Sequence, residues 1–178
     1  GQLAYDEPPR PRHRPPVPRR RSPLVVAIIL LFSPILLLLM ALGLYLSEAS
    51  GFDVAYSPVM LLVSILVLCI CVAAFIYLAY WVYHIHGELA GAEPSQRLLT
   101  PLAAMFIAIL VPLGLPILVM TLGDLLNDRA RERGEGRLVS IAWLAVWSLV
   151  LPPVAIAMIQ NAANNSYGIG TNMAPHMA

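Results

Sequence analysis

Apolar and polar positions along this chain separate into long blocks and do not alternate on the short periods of a soluble fold. Four stretches, 23–46, 58–83, 98–123 and 138–159, run without Asp, Glu, Lys or Arg. The second is the clearest. Read as a helix, Pro58 to Tyr83 rises about 39 Å at 1.5 Å per residue, enough for a hydrocarbon core of roughly 30 Å with some tilt. Tyr77, Tyr80, Trp81 and Tyr83 close it with an aromatic cluster of the kind that settles at a membrane–water boundary. His84, His86 and Glu88 are expected to follow in water.

The blocks carry their own start signals. Ser22-Pro23, Ser57-Pro58 and Thr100-Pro101 each put a capping hydroxyl before a proline whose missing N–H costs nothing at the first helical position. Inside the blocks, Pro34 is expected to kink the first helix. Pro112, Gly114 and Pro116 break the third, and Pro152 with Pro153 break the fourth. Such a break is compatible with a kinked crossing or with a hairpin that re-enters the side it came from. The equal apolar length of the blocks favours four crossings. The chain is accordingly read as an all-α integral membrane protein, a four-transmembrane-helix bundle with the third and fourth helices Pro-broken, re-entry being the alternative.

Charge sharpens the orientation. All eleven basic residues are arginines, six of them before the first block, and the segment between blocks one and two holds Glu48 and Asp53 with no cation. The positive-inside tendency puts the N-terminus in the cytoplasm, with the chain crossing the membrane repeatedly. Residues 1–22, rich in Pro and Arg, read as a disordered cytoplasmic tail. Residues 23–160 form the membrane domain, with an amphipathic interfacial segment over 124–137, and 161–178 form a polar tail. Four crossings would put Arg129, Arg131, Arg133 and Arg137 outside. A re-entrant third block keeps them inside, which is what the arginines favour.

Candidate chemistry is sparse. Ionisable groups inside the bilayer mark proton relays and substrate sites, and the four blocks have none. The only cysteines, Cys69 and Cys71, point to opposite sides of one helix and cannot bridge. No metal, haem or other cofactor is expected, no nucleic-acid partner, and no enzymatic activity. Arg19, Arg20, Arg21, Arg129, Arg131 and Arg133 are the candidate contacts to anionic lipid headgroups or to a protein partner. Trp143 and Trp147, one turn apart, join the interface aromatics, and Pro112, Gly114, Pro116, Pro152 and Pro153 form the helix breaks.

Tyr77, Tyr80, Trp81, Tyr83, Ile85, Glu88 and Leu89 make a Y-x-x-Y-W-x-Y-x-I-x-x-E-L signature at a span end. With the Pro-broken third block running into an Arg/Glu-rich helix, and with Gln160 and Asn164 in a terminal I-Q-x-x-x-N, the chain over residues 58–165 resembles a small bacterial multi-pass membrane family of unknown function. It departs from that family at Ala73–Ile76, where Thr-Leu-Gly-Ile is usual. The resemblance implies an architecture and no activity. The expected function is a non-catalytic accessory or assembly subunit of a larger bacterial membrane complex, whether respiratory, photosynthetic or transport. The alternatives are a small channel or carrier with its site at the Pro112–Pro116 break, and a lipid-interacting sensor.

Overall fold

A computed structural model describes residues 18–51, 57–92 and 98–170, and all regular structure among them is helical. In chain order the helices are α1 (Pro23–Ala49), α2 (Pro58–Ala92), α3 (Pro101–Leu110), α4 (Gly114–Glu132), α5 (Ile141–Val150) and α6 (Pro152–Gly170). Residues 1–17 of the expected tail and 171–178 of the C-terminal one lie outside the described residues.

The three capping signals act as the local chemistry requires. The hydroxyls of Ser22, Ser57 and Thr100 accept from the N–H groups of Val25, Met60 and Ala103 at 3.4, 3.1 and 3.3 Å. Each thereby satisfies one amide that the first helical turn leaves free. Pro34 lies inside α1 without ending it.

α1 and α2, with 27 and 35 residues, are long and apolar enough to cross a membrane. Only 11% of the most apolar 18-residue stretch of each is buried in the molecule. A core helix of a soluble protein would be mostly covered. α3 and α5 have 10 residues each, about 15 Å, half of what a crossing needs.

Of the four apolar blocks, two thus form single helices of crossing length, and the third and fourth are each divided in two at their proline breaks. α3 and α4 double back on each other. Gly114, the first residue of α4, lies so close to α3 that a Cβ there would overlap the carbonyl of Ile107. At the opposite end Leu98, just before α3, lines one crevice together with Thr121, Asp124 and Leu125 of α4. The two helices thus run antiparallel, and the chain turns over through Val111 to Leu113. Leu113 takes the left-handed conformation, φ 61°, to make so short a reversal.

α5 and α6 repeat the plan. Asn127 of α4 holds the start of α5: its side chain accepts from the N–H groups of Leu138 and Val139, both at 3.0 Å, and donates to the Val139 carbonyl at 2.8 Å. At the far end of α6, Ser166 returns to the same level and meets Arg133 at 3.4 Å. Between them the chain reverses at Leu151. In both hairpins a 10-residue arm leads to a 19-residue one. Pro112 and Pro152 stand at the same distance from Thr100 and Ser140, the residues that precede the short arms, so the two units are offset by 40 positions.

The six helices pack as a ring in chain order, α6 closing on α1, with α4 and α6 also touching across it. Both hairpin tips meet the long helices at one level: Leu115 of α4 and Pro152 of α6 share a crevice of about 200 Å³ with Leu30 and Ser33 of α1 and Cys71 of α2. Below that level the ring is filled by Trp81, Ile85, Leu122, Leu126, Leu144 and Ile159, all at most 1% exposed.

Candidate functional site: a buried polar brace

The polar side chains that the fold brings together sit at one end of the ring, where α2, α6 and the segment before α1 converge. The Trp81 indole N–H donates to the Gln160 side-chain oxygen at 2.9 Å, and the Gln160 amide donates to Asn164 Oδ1 at 3.0 Å. Asn164 then clasps the Arg21 backbone from both sides. Its Nδ2 donates to the Arg21 carbonyl at 2.6 Å and its Oδ1 accepts from the Arg21 N–H at 3.3 Å.

The Arg21 guanidinium continues the chain to Glu88. It forms a two-pronged pair, Nη2 to Oε1 at 2.6 Å and Nη1 to Oε2 at 3.3 Å, the fork geometry that makes Arg–carboxylate contacts strong. The Arg19 N–H at 3.4 Å and the Tyr167 hydroxyl at 3.5 Å also donate to Glu88 Oε2. Nearby, Arg129 donates to the Leu89 carbonyl at 3.0 Å. His86 Nδ1 lies 2.9 Å from the Val82 carbonyl; since a carbonyl only accepts, that nitrogen carries the proton.

The expectation that His86 and Glu88 enter water is overturned: they are 2% and 1% exposed. The reason is tertiary. The segment leading into α1 and the last turns of α6 fold over the end of α2, and they bring with them the cation and the hydroxyl that make a buried carboxylate tolerable. Only His84, half-buried, stays near the surface, its ring against Tyr80 with centroids 4.1 Å apart.

Electrostatics follow from these neighbours. Burial works against the charge on Arg21, but the hydrogen bond and attraction of Glu88 outweigh it and raise the Arg21 pKa above its ordinary value. Burial, reinforced by the Glu88 charge, pushes the Tyr167 phenol well up from its usual range. Both keep the protonated forms that the brace needs.

The candidate arginines divide into two groups. Arg21, Arg129 and Arg133 are engaged inside the molecule, Arg133 pairing with Glu135 at 2.9 Å; Arg19, Arg20 and Arg131 expose their side chains. The segment 124–137 is the end of α4 and the turn after it, and Leu125, Leu126, Arg129 and Ala130 in it are buried against protein. α6 carries on through the boundary drawn at 160, with Ala162 and Ala163 buried. Among the interface aromatics Tyr80, Tyr83 and Trp143 are exposed, Tyr77 and Trp147 half-buried, and Trp81 wholly buried. Trp143 and Trp147 stack with centroids 6.3 Å apart. Of the helix breaks, Pro112 is exposed, Pro116 and Pro152 are half-buried, and Gly114 and Pro153 are buried.

Gln160 and Asn164 belong to the terminal I-Q-x-x-x-N of the sequence, which gives them no role, and Tyr167 is not singled out there. Their spacing of four and three residues puts them on one stripe of α6, a pattern visible in the sequence. Chemically the brace is saturated. Among the described residues no buried side-chain nitrogen or oxygen lacks a hydrogen-bond partner, and no three His, Cys, Asp or Glu side chains are grouped to hold a metal. Comparison of the chain with protein-family models, with curated proteins and with solved structures finds no match in any of the three.

Proposed function

We propose that the chain is a non-catalytic accessory subunit of a larger bacterial membrane complex, carried in the cytoplasmic membrane by two crossings, α1 and α2, and two re-entrant hairpins. The brace is the observation that carries this reading. Its polar groups are spent on one another and on backbone, so they tie the N-terminal segment, α2 and α6 together as a structural joint.

Three features support the re-entrant arrangement over four crossings. A 10-residue arm reaches only to the middle of a core of about 30 Å. The amides at the turns are paired within the chain, Val111 to Ile107, Gly114 to Val111, Leu151 to Trp147 and Val154 to Leu151, at 2.8 to 3.2 Å, as backbone at membrane depth must be. Arg19 and Arg21 meet Glu88, Arg129 meets Leu89 and Arg133 meets Ser166, so the arginine-rich segments all gather at one end, the cytoplasmic one under the positive-inside tendency. There Arg19, Arg20 and Arg131 are available to anionic headgroups at about 1 kcal/mol each.

Extraction of the native protein in a mild detergent, with sizing and mass spectrometry of what travels with it, tests the reading. Co-migration with a large assembly at fixed stoichiometry is the expected result, and migration alone as a small oligomer would sink it. A second reading, a carrier of a small apolar solute, draws on the crevice at the hairpin tips. Uptake of such a solute into proteoliposomes, lost on filling the crevice with Ala74→Phe, would favour it.

A further inference from the structure

We infer that the chain is a one-sided wedge, drawn to and stabilising membrane that is convex on its arginine-bearing side. The inference rests on the topology of two crossings and two hairpins proposed above. It is carried by the number of helices that stand at each depth.

At the level of Trp81, Leu122, Leu144 and Ile159, all six helices pack in one ring. The hairpin arms end where Leu115 and Pro152 meet Ser33 and Cys71. Past that level, among the described residues, only α1 and α2 continue, from Ser33 to Ala49 for about 24 Å and from Cys71 back to Pro58 for about 20 Å. There the two helices cover mainly each other: Val67 of α2 is buried and the Ser64 hydroxyl meets the Met40 sulfur of α1 at 3.9 Å. Leu38 and Val59 are each 69% exposed, and the buried residues of α1, Val26 and Leu30, both lie on the hairpin side.

The tips sit near the midplane by two independent measures. From Cys71 to the aromatic residue Tyr83 is about 18 Å, and from Cys71 to Pro58 about 20 Å, so the level divides the span of α2 nearly in half. The 10-residue arms α3 and α5, about 15 Å each, also measure half a core. In a bilayer the hairpins therefore occupy one leaflet alone. A helix about 10–12 Å across has a cross-section of roughly 80–110 Å², so four extra arms add roughly 320–440 Å² to that leaflet. Because both leaflets share one midplane, a leaflet carrying rigid excess area relaxes by bending outward. The tight hairpin turns make the excess rigid: the closed contact of Gly114 on Ile107 leaves α3 and α4 no room to flatten. With the arginine end in the cytoplasm, the favoured shape is membrane that bulges into the cell.

The test uses the full chain, fluorescently labelled and reconstituted into phosphatidylcholine–phosphatidylglycerol vesicles of graded size. Protein density is read vesicle by vesicle, and orientation is read with a membrane-impermeant thiol reagent on an Arg137→Cys variant whose own cysteines are replaced by alanine. Molecules with the arginine end outward are expected to be enriched severalfold on the smallest vesicles, and those with it inward depleted there. Density independent of vesicle size in both orientations overturns the wedge. Thiol labelling of Gly51→Cys distinguishes the two levels of failure: Gly51 reached from the side opposite Arg137, with flat sorting, removes the wedge and keeps the topology, whereas Gly51 and Arg137 reached from the same side remove both.

Discussion

At the residue scale the decisive side chain is Glu88. A carboxylate 1% exposed is tolerated only while Arg21 stands against it. Removing one partner of such a pair leaves an uncompensated charge. Arg21 keeps some contact with solvent, its side chain being 15% exposed, so we expect Arg21→Ala to cost about 2–3 kcal/mol, below the value for a fully buried pair. Denaturant unfolding in detergent measures it. The double variant Arg21→Ala, Glu88→Gln is expected to recover part of the loss, and a double variant as unstable as the single one would show that the charge is not the cause. Tyr167 makes a pH dependence. Its folded-state pKa is raised, so its contribution is complete below the ordinary tyrosine value of about 10 and is lost as pH rises beyond it. Thermal stability in detergent is expected to fall above about pH 10 in the parent and to fall less steeply in Tyr167→Phe.

At the scale of elements the hairpins depend on close approach more than on hydrogen bonds. A methyl group at Gly114 would run into the Ile107 carbonyl, part of a helix backbone that cannot step aside. We expect Gly114→Ala to destabilise by about 1–3 kcal/mol, the usual range for overpacking. Leu113→Gly, one residue earlier, is expected to be neutral or stabilising by up to about 1 kcal/mol, because it relieves a left-handed leucine. Opposite signs at adjacent positions, measured by unfolding, would identify the turn itself as the constraint. Asn127 plays the matching part between the hairpins, with three hydrogen bonds to the segment before α5. The three start signals before α1, α2 and α3 could be read directly from the sequence because a cap involves only residues three apart. The hairpin tips were visible as Pro/Gly clusters, but a proline only releases a backbone bond and does not set the direction in which the chain continues.

At the scale of the molecule the topology has a direct test. With Cys69 and Cys71 changed to alanine, single cysteines introduced at Arg137, Leu113 and Gly51 are exposed to an impermeant thiol reagent in intact and opened cells. Arg137→Cys is expected to react only from the cytoplasm, Gly51→Cys only from outside, and Leu113→Cys from neither side. Reaction of Arg137→Cys from outside, the same side as Gly51→Cys, would restore a four-crossing chain.

The sequence by itself determined that the chain is helical and apolar, where three of its helices begin, and where two of its blocks break, because caps, apolar runs and prolines act within a few neighbouring residues. It also held the one-sided crowding of arginine. Only the tertiary structure decided that the broken blocks double back in antiparallel pairs and that the end of α2 is covered. Glu88 reads as a solvated residue after a span until Arg21, 67 positions away, and Tyr167, 79 positions away, are seen to close over it. Pairings at that distance depend on how whole helices pack, and no local pattern encodes them.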